Sequence, residues 1–589
     1  MSVVKKAPLF DKEEVLGLEC KHAVYTESAL NPDDDLLTVK ELVHLKDGRK
    51  VPRLRFYKNR KRPFGITKEK YRNHKDKKEV EDLDKLVLVE STQRDLNRNI
   101  VKRLGYGNPN GQLRMLCRSP YIYGADITPA TLIKQQYREK WPGLFYSNQV
   151  AVLDTETDMW NGDGKDVIIS TVTFKKKAIV TILDTWIEGI PDAINTILKA
   201  LDEHLGHITK PRGIEFEIQI QKSGGEMIKT CIDRCHEWMP DFVSFWNMDF
   251  DMTVMIRELE RSGYNLADVF SAPEVPPEFR YFRYKRGPSE KVKADGKKEN
   301  LAWYDRWHVV ETPSSHFWID SAAVYRNIRR AKGKEPSYAL DNILKKNLGE
   351  DWGKLYFPMG DSKASPGSVE WHRQMQKDYK VNYVVYNVYD CLGVELLDEK
   401  VTDLNTQIGI LSESSEYTIF NSNPKRNVNA FYFDMLKEGK MAGTLSDQME
   451  DELDKLLLGK DDWIVTLPTS LVEANGVYMI KDLPSVRSFV RRYTSDADIG
   501  STYPNGEIIL NLSKMTTMYE VGRIAGVTAS KQRLVGVNLT GGPVNSIEIM
   551  TEVMKAPDPF QLLEAFEAEL MAPVEEDPVH KILRQSSVV

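Results

Sequence analysis

Cysteine is scarce in this sequence. Five residues (Cys20, Cys117, Cys231, Cys235 and Cys391) among 589 exclude a disulfide-stapled secreted scaffold and suit a reducing cytoplasm. Only Cys231-x3-Cys235-His236 has the chemistry of a metal cluster. With no second Cys or His pair beside it, the segment reads as a helical face carrying two buried thiols. No apolar run is long enough to cross a bilayer, so no membrane partner is expected, and Met1-Ser2-Val3-Val4-Lys5-Lys6 lacks the apolar core of a signal peptide. Internal repeats and low-complexity tracts are also missing, which excludes solenoids and long unstructured arrays. At this length one core is not enough, and about three or four domains are expected.

An excess of positive charge is lacking too. Lys and Arg number 81 against 87 Asp and Glu, a formal net charge of −6 that would argue against a nucleic-acid partner if it were evenly spread. It is not. Between Lys46 and Lys78 about fifteen basic residues face three acids (Asp47, Glu69, Asp76) and interleave with Phe56, Tyr57, Phe64 and Tyr71. Such a stripe fits phosphate neutralisation with base stacking; a solvated basic loop is the alternative. The last thirty residues lean acidic instead (Glu564, Glu567, Glu569, Glu575, Glu576, Asp577) and read as a terminal helix and tail.

What the chain does have is Gln149-Val150-Ala151-Val152-Leu153-Asp154-Thr155-Glu156-Thr157, an apolar run ending in two carboxylates spaced i, i+2. Alternate strand residues share a face, so Asp154 and Glu156 leave the sheet together. Side by side they repel unless a cation lies between them, and Mg²⁺ takes such hard oxygen ligands. Downstream, 166–174 and 178–183 read as paired strands, 192–201 and 225–238 as helices, Asp241 to Trp246 as a short apolar strand, and about 252–263 as a helix. Upstream, Thr128 and Pro129 read as the N-cap and first residue of a helix running towards Lys140, and Gly105 to Gly111 as a loop. Residues 285–300 read as an exposed hairpin or loop, 317–320 as a strand, 338–344 as a helix, and about 369–397 as one long helix. Two further acidic elements stand out: Ser244-Phe245-Trp246-Asn247-Met248-Asp249-Phe250-Asp251 at a strand end, and Tyr386-x3-Asp390, which share a helix face.

Asp-x-Glu on a strand, Asp after a second strand and Tyr-x3-Asp on a late helix, in this order, resemble the DEDD exonucleases of RNase H-like fold. The tyrosine places the resemblance in the subclass formed by the proofreading domains of family B and family A DNA polymerases. That resemblance implies two Mg²⁺ ions (Mn²⁺ able to substitute) about 4 Å apart, with Asp154 bridging both and Glu156, Asp251 and Asp390 completing their shells. Tyr386 would orient the attacking water and Asn247 would contact the single-stranded 3′ end. Asp249 is a rival to Asp251, although Asp251 after Phe250 fits the family pattern better.

Further on, Asp496-Ala497-Asp498-Ile499-Gly500-Ser501-Thr502-Tyr503-Pro504-Asn505 resembles motif A of family B DNA polymerases, Asp-x-x-Ser-Leu-Tyr-Pro-Ser. A turn after a strand is the alternative. By the resemblance Asp498 holds the polymerase metals, the backbone about Ser501 meets the triphosphate and Tyr503 excludes ribonucleotides. Asn421 to Val428, Glu473 to Met479 and Tyr121 to Ile127 are similar to flanking segments in the enzymes of tailed bacteriophages. Neither a Tyr-Gly-Asp-Thr-Asp-Ser-like hairpin nor a Lys-x3-Asn-Ser-x-Tyr-Gly fingers helix is present; Gly541 stands where the Lys before Asn545-Ser546 would be.

The expected protein is therefore a mixed α/β (α+β) multidomain subunit of a split family B DNA polymerase for phage replication, acting in the cytoplasm of an infected bacterial host. Residues 1–145 would form an N-terminal DNA-binding domain in which Arg60, Lys61 and Arg62 contact DNA. Residues 146–405 would form an RNase H-like 3′→5′ exonuclease, and 406–589 a partial palm with an acidic tail. Expected partners are DNA, a second subunit carrying fingers, motif C and thumb, and a sliding clamp, although no clamp-binding element is evident at Ser586-Ser587-Val588-Val589. The alternatives are a stand-alone exonuclease with a vestigial palm and a non-catalytic DNA-binding scaffold.

Overall fold

The computed structural model describes residues 11–444, apart from 75–77, 79, 106–111, 118, 163, 293–297 and 360–363, together with 536–539 and 542–545. The chain is mixed α/β and multidomain. It divides into two compact units, Met1–Thr444 and Leu445–Val589, so the boundary expected at 405/406 falls inside the first. In the second unit the described residues are one antiparallel hairpin, Gly536–Leu539 with Gly542–Asn545. Asp498, Ser501, Tyr503 and the rest of the motif A segment lie outside the described residues, as does most of the Gly105 to Gly111 loop. No helix among the described residues is long and apolar enough to cross a membrane.

The first unit is organised around a six-stranded sheet of β1 (Val150–Thr157), β2 (Val167–Phe174), β3 (Lys177–Leu183), β4 (Glu215–Gln221), β5 (Phe242–Phe245) and β6 (Phe317–Asp320), in the order β4-β3-β2-β1-β5-β6. β1, β2 and β3 form an antiparallel meander, whereas β1-β5-β6 and β3-β4 pair in parallel. Five of these strands follow the apolar runs of the sequence. β4 was not anticipated: Glu-Phe-Glu-Ile-Gln-Ile-Gln alternates polar and apolar residues and sits at the sheet's edge, so its pattern is that of a half-buried strand.

Both faces are covered. Leu153, Val172 and Val243 pack against helices α2 (Gly224–Trp238) and α3 (Met248–Arg261) through Met227, Cys231, Met252 and Met255. On the other face Ile168, Val180 and Ile182 meet α1 (Ala193–Arg212) and α5 (Lys380–Val401) through Ile197, Leu201, Val384 and Val388. Cys231 and Cys235 are buried in this core as free thiols, as expected of the helical face. The single helix expected over 369–397 is two, α4 (Val369–Asp378) and α5, because Tyr379 leaves the helical region (φ −130°, ψ 41°). No Gly or Pro marks that break. α4 is capped independently by the Ser368 side chain, which accepts the Trp371 N–H, while Trp371 and Met375 turn inward.

Ahead of this sheet, Val15–Glu27, Asp35–Leu45 and Lys50–Lys58 form an antiparallel sheet. Leu86–Thr92, Lys61–Thr67 and Ile122–Tyr123 form another. The helix Pro129–Lys140 begins as expected, with Thr128 accepting the Thr131 N–H. The segment after α5 returns to this region. Lys440–Ala442 pairs with Val80–Asp82, and Tyr432, Phe433 and Met441 join Leu86, Tyr123 and Leu132 in one apolar cluster.

Candidate active site

β5 stops pairing with β1 at Ser244 opposite Val152, two residues before Asp154, while β2 continues alongside to Thr157. The last residues of β1 therefore run on past the end of β5, and strand alternation sorts their side chains. Asp154 and Glu156 face α5; Thr155 faces the opposite way, towards α3.

α5 meets the first pair with a polar stripe at helical spacing, Tyr383, Tyr386, Asn387 and Asp390, flanked by the buried apolar residues Val384, Val385, Val388 and Leu392. One oxygen from each of Asp154, Glu156 and Asp390 lies within 4.8 Å of the others. Asn387 donates to Asp154 Oδ2 (2.7 Å) and its own Oδ1 accepts the Thr171 hydroxyl (2.5 Å). Tyr383 donates to Glu156 Oε2 (2.5 Å). Asp390 is buried, and its Oδ1 has no hydrogen-bond partner.

The helix start sends Asp249 and Asp251 to different surroundings. α3 begins at Met248, a turn earlier than the sequence pattern suggested, so both acids lie in its first turn and point about 200° apart. Asp251 is buried; its Oδ1 accepts from the Thr155 N–H (3.1 Å) and hydroxyl (2.7 Å). Asp249 instead accepts from Tyr284 Oη (2.8 Å) and Arg286 Nε (2.8 Å) at the surface. Asp251 thus borders the cluster without joining the group of three. Asn247 precedes α3, half-buried, with no capping bond from its side chain; Asp320 Oδ2 takes the Met248 N–H instead (2.9 Å).

Lys354 completes the site and was not anticipated. Its Nζ donates to Asp390 Oδ2 (2.5 Å) and to Tyr386 Oη (2.8 Å), and its backbone N–H is fixed by Asp341 Oδ1 (2.7 Å). Nothing in its sequence neighbourhood marks it, because the contact spans more than thirty residues. Tyr383 and Asn387 were legible in principle, from the stripe they share with Tyr386 and Asp390.

Burial, with crowding of like charge added to it, sets the electrostatics. Burial, then repulsion from Asp251, Glu156 and Asp390, raises the Asp154 carboxyl well above its ordinary value. Burial likewise pushes Glu156 and Asp251 up to about 7 and raises Asp390. Burial alone would lower the Lys354 ammonium, but Asp390, Asp154 and Glu156 more than offset it and hold it above the usual lysine range. Tyr386 is pushed up by burial and by Asp390, so its phenol keeps its proton at neutral pH. The arrangement could hold a divalent cation, whose charge would relieve the repulsion.

A stability test follows. A carboxyl whose folded pKa is raised contributes stability that is full below about pH 4 and lost as pH rises through about 7. The metal-free protein should therefore show a falling thermal midpoint between about pH 4 and 7, and added Mg²⁺ should restore part of it at pH 8. A midpoint indifferent to Mg²⁺ at pH 8 would mean that the cluster does not take the ion.

The basic stripe needs correction at Arg62. Strand alternation turns Lys61 outward and Arg62 inward, where the guanidinium donates to Gln93 Oε1 (3.0 Å) and to the carbonyls of Gly124, Ala125 and Ile127. Arg62 is 4% exposed and ties its strand to Gln93 and to the Gly124 to Ile127 turn. Arg60 is half-buried, lies over the Tyr57 ring and donates to Gln136 Oε1 (2.6 Å). Elsewhere in the stripe Arg53 and Arg55 pair with Glu41, Lys58 with Asp34 and Lys78 with Glu81, so part of the charge is balanced within the protein.

No protein-family model matches the chain, and a search of curated proteins finds no match.

Proposed function

We propose that the protein is a metal-dependent 3′→5′ exonuclease of RNase H-like architecture, and that it is one subunit of a split family B DNA polymerase of a tailed bacteriophage. The observation that carries the nuclease reading is the convergence of Asp154, Glu156 and Asp390 at the end of β1, bordered by Asp251, Tyr386 and Lys354. The donors fit Mg²⁺: all are carboxylate oxygens, and Asp390 Oδ1 is a buried acceptor with nothing to accept from. When bound, the ion would neutralise the cluster and supply Lewis acidity at a phosphodiester. Asp154, Glu156 and Asp390 would hold it, with Asp251 as the neighbouring acid.

The remaining steps belong to the side chains. The Tyr386 hydroxyl accepts from Lys354 and lies within reach of the Asp390 carboxylate, so its own hydrogen can go to Asp390 or turn to a water or a phosphate oxygen. Lys354 keeps a positive charge beside the place where a phosphate would lie. The water oxygen bonds to phosphorus, the 3′ oxygen of the penultimate nucleotide leaves with a proton, and a nucleoside 5′-monophosphate is released.

The polymerase part of the reading is supported by the motif A resemblance at Asp498, Ser501, Tyr503 and Pro504. Fingers, motif C and thumb would come from a second chain. The test uses the protein alone with a 3′-labelled single-stranded oligonucleotide, then with a primer-template and nucleotides. Digestion with Mg²⁺ and no extension until a second chain carrying motif C is added is the expected result. Absence of digestion with Mg²⁺ or Mn²⁺ overturns the nuclease, and extension by this chain alone overturns the split polymerase.

A further inference from the structure

Of the three clustered carboxylates, Glu156 has the longest side chain and the most rotamers to lose. Asp154 is held by Asn387 and Asp390 by Lys354. What holds Glu156 is Tyr383, and the surroundings of that phenol assign every one of its hydrogen-bonding positions.

The Tyr383 hydroxyl has one hydrogen and two lone pairs. An ionised Glu156 can only accept, so the hydrogen goes to its Oε2 (2.5 Å). The lone pairs accept from Gln376 Nε2 (3.1 Å) and from the ring nitrogen Nδ1 of His372 (2.8 Å), which makes His372 the Nδ1–H tautomer. Gln376 is fixed in turn: its Nε2 also donates to the Thr157 carbonyl (2.8 Å), and its Oε1 accepts the Met159 N–H (2.7 Å). α4 is therefore tied to the chain just beyond Glu156 at the same point where it orients the phenol. The Tyr383 ring also stacks on Tyr386, with centroids 5.6 Å apart and planes 14° from parallel. A single buried ring thus touches both the carboxylate that would hold the ion and the tyrosine that would orient the water.

We infer that Tyr383, fixed by His372 and Gln376, is a positioning residue that aims Glu156 for metal binding and hydrolysis. The inference rests on the exonuclease reading. A tyrosine present only to fill the core would matter through its ring and not through its hydroxyl, which separates the two roles.

Tyr383→Phe keeps the ring and removes the hydroxyl. The expected result is a thermal midpoint close to that of the parent, unchanged binding of a single-stranded oligonucleotide in Ca²⁺, an unchanged KM, a raised Mg²⁺ requirement for digestion, and a kcat lower by ~10–100-fold, the usual cost of losing an outer-sphere partner at a metal site. His372→Ala should shift the Mg²⁺ requirement in the same direction, and His372→Asn, which offers an N–H near the Nδ1 position, should recover most of that loss. The His372 pair carries the test if Tyr383→Phe does not fold. Parent protein that digests while Tyr383→Phe keeps its Mg²⁺ requirement and kcat overturns this inference and leaves the exonuclease standing. So does a His372→Asn variant no better than His372→Ala. Parent protein that digests nothing overturns both.

Discussion

Asp154→Asn is expected to abolish Mg²⁺-dependent digestion of single-stranded DNA and, in the same protein, to raise the thermal stability of the metal-free form. Asp154 lies where burial and the charges of Asp251, Glu156 and Asp390 all oppose ionisation. The amide keeps the shape, and its oxygen can still accept from Asn387, which now donates to Asp154 Oδ2 at 2.7 Å. What disappears is one negative charge from a cluster of four acids. The matching change at Glu156, whose carboxyl is pushed up to about 7, would gain about 3 kcal/mol from a shift of two to three units. Because Asp154 and Glu156 both keep part of their surface in water, screening should reduce the measured gain to ~1 kcal/mol. Loss of activity should exceed ~10²-fold, since removing even an outer partner of a metal ligand costs 10–100-fold. An acid that merely held the fold together would behave in the opposite way, losing stability and sparing activity. Thermal melts in a chelator, beside digestion assays in Mg²⁺, distinguish the two. A less stable Asp154→Asn protein with parental digestion would remove the acid cluster from consideration as an active site.

How much of this was legible in the sequence depends on the distance over which each feature is encoded. The strands β1, β2, β3, β5 and β6 follow from apolar runs that are local and buried on both faces. Asp154 and Glu156 share a face because a strand alternates, and Asp390 reaches them because its helix carries a polar stripe through an apolar environment. The different surroundings of Asp249 and Asp251 follow from the first residue of α3, and terminal residues are where periodicity says least. The break at Tyr379 has no Gly or Pro to announce it, and Trp371 and Met375 of the helix before it pack into the core. Lys354 was invisible for a different reason: a lysine in a loop has no pattern, and only tertiary folding brings it to Asp390 and Tyr386. Tyr383 and Asn387 lie between these cases, for the stripe was readable but their bonds to Glu156 and Asp154 were not.

The same limit explains Arg62, for which a second large effect is expected. Arg62→Ala should destabilise the first unit by about 2–3 kcal/mol, the usual cost of leaving buried acceptors without their charged donor. Burial lowers this guanidinium to about 10, and its bonds go to one amide oxygen and three backbone carbonyls rather than to a carboxylate. Those carbonyls belong to the Gly124 to Ile127 turn that joins the strand Ile122–Tyr123 to the helix Pro129–Lys140, so their loss of a partner loosens a junction and not a single contact. Arg62→Met would restore the packing of the stem but not the donors, and should recover only a minor part of the loss. Lys61→Ala, on the exposed side of the same strand, should change stability by less than ~0.5 kcal/mol. Denaturant melts of the three variants measure these differences directly, and a cost below ~1 kcal/mol for Arg62→Ala would mean that water replaces the guanidinium. The contrast also decides how the basic stripe can be tested for DNA binding. Neutralising Arg60, Lys61 and Arg62 together would confound lost contacts with lost folding, whereas Arg60 and Lys61 changed alone report on the surface. In a strand whose side chains alternate between solvent and core, adjacent residues of like charge serve opposite ends, and a count of basic residues cannot separate them.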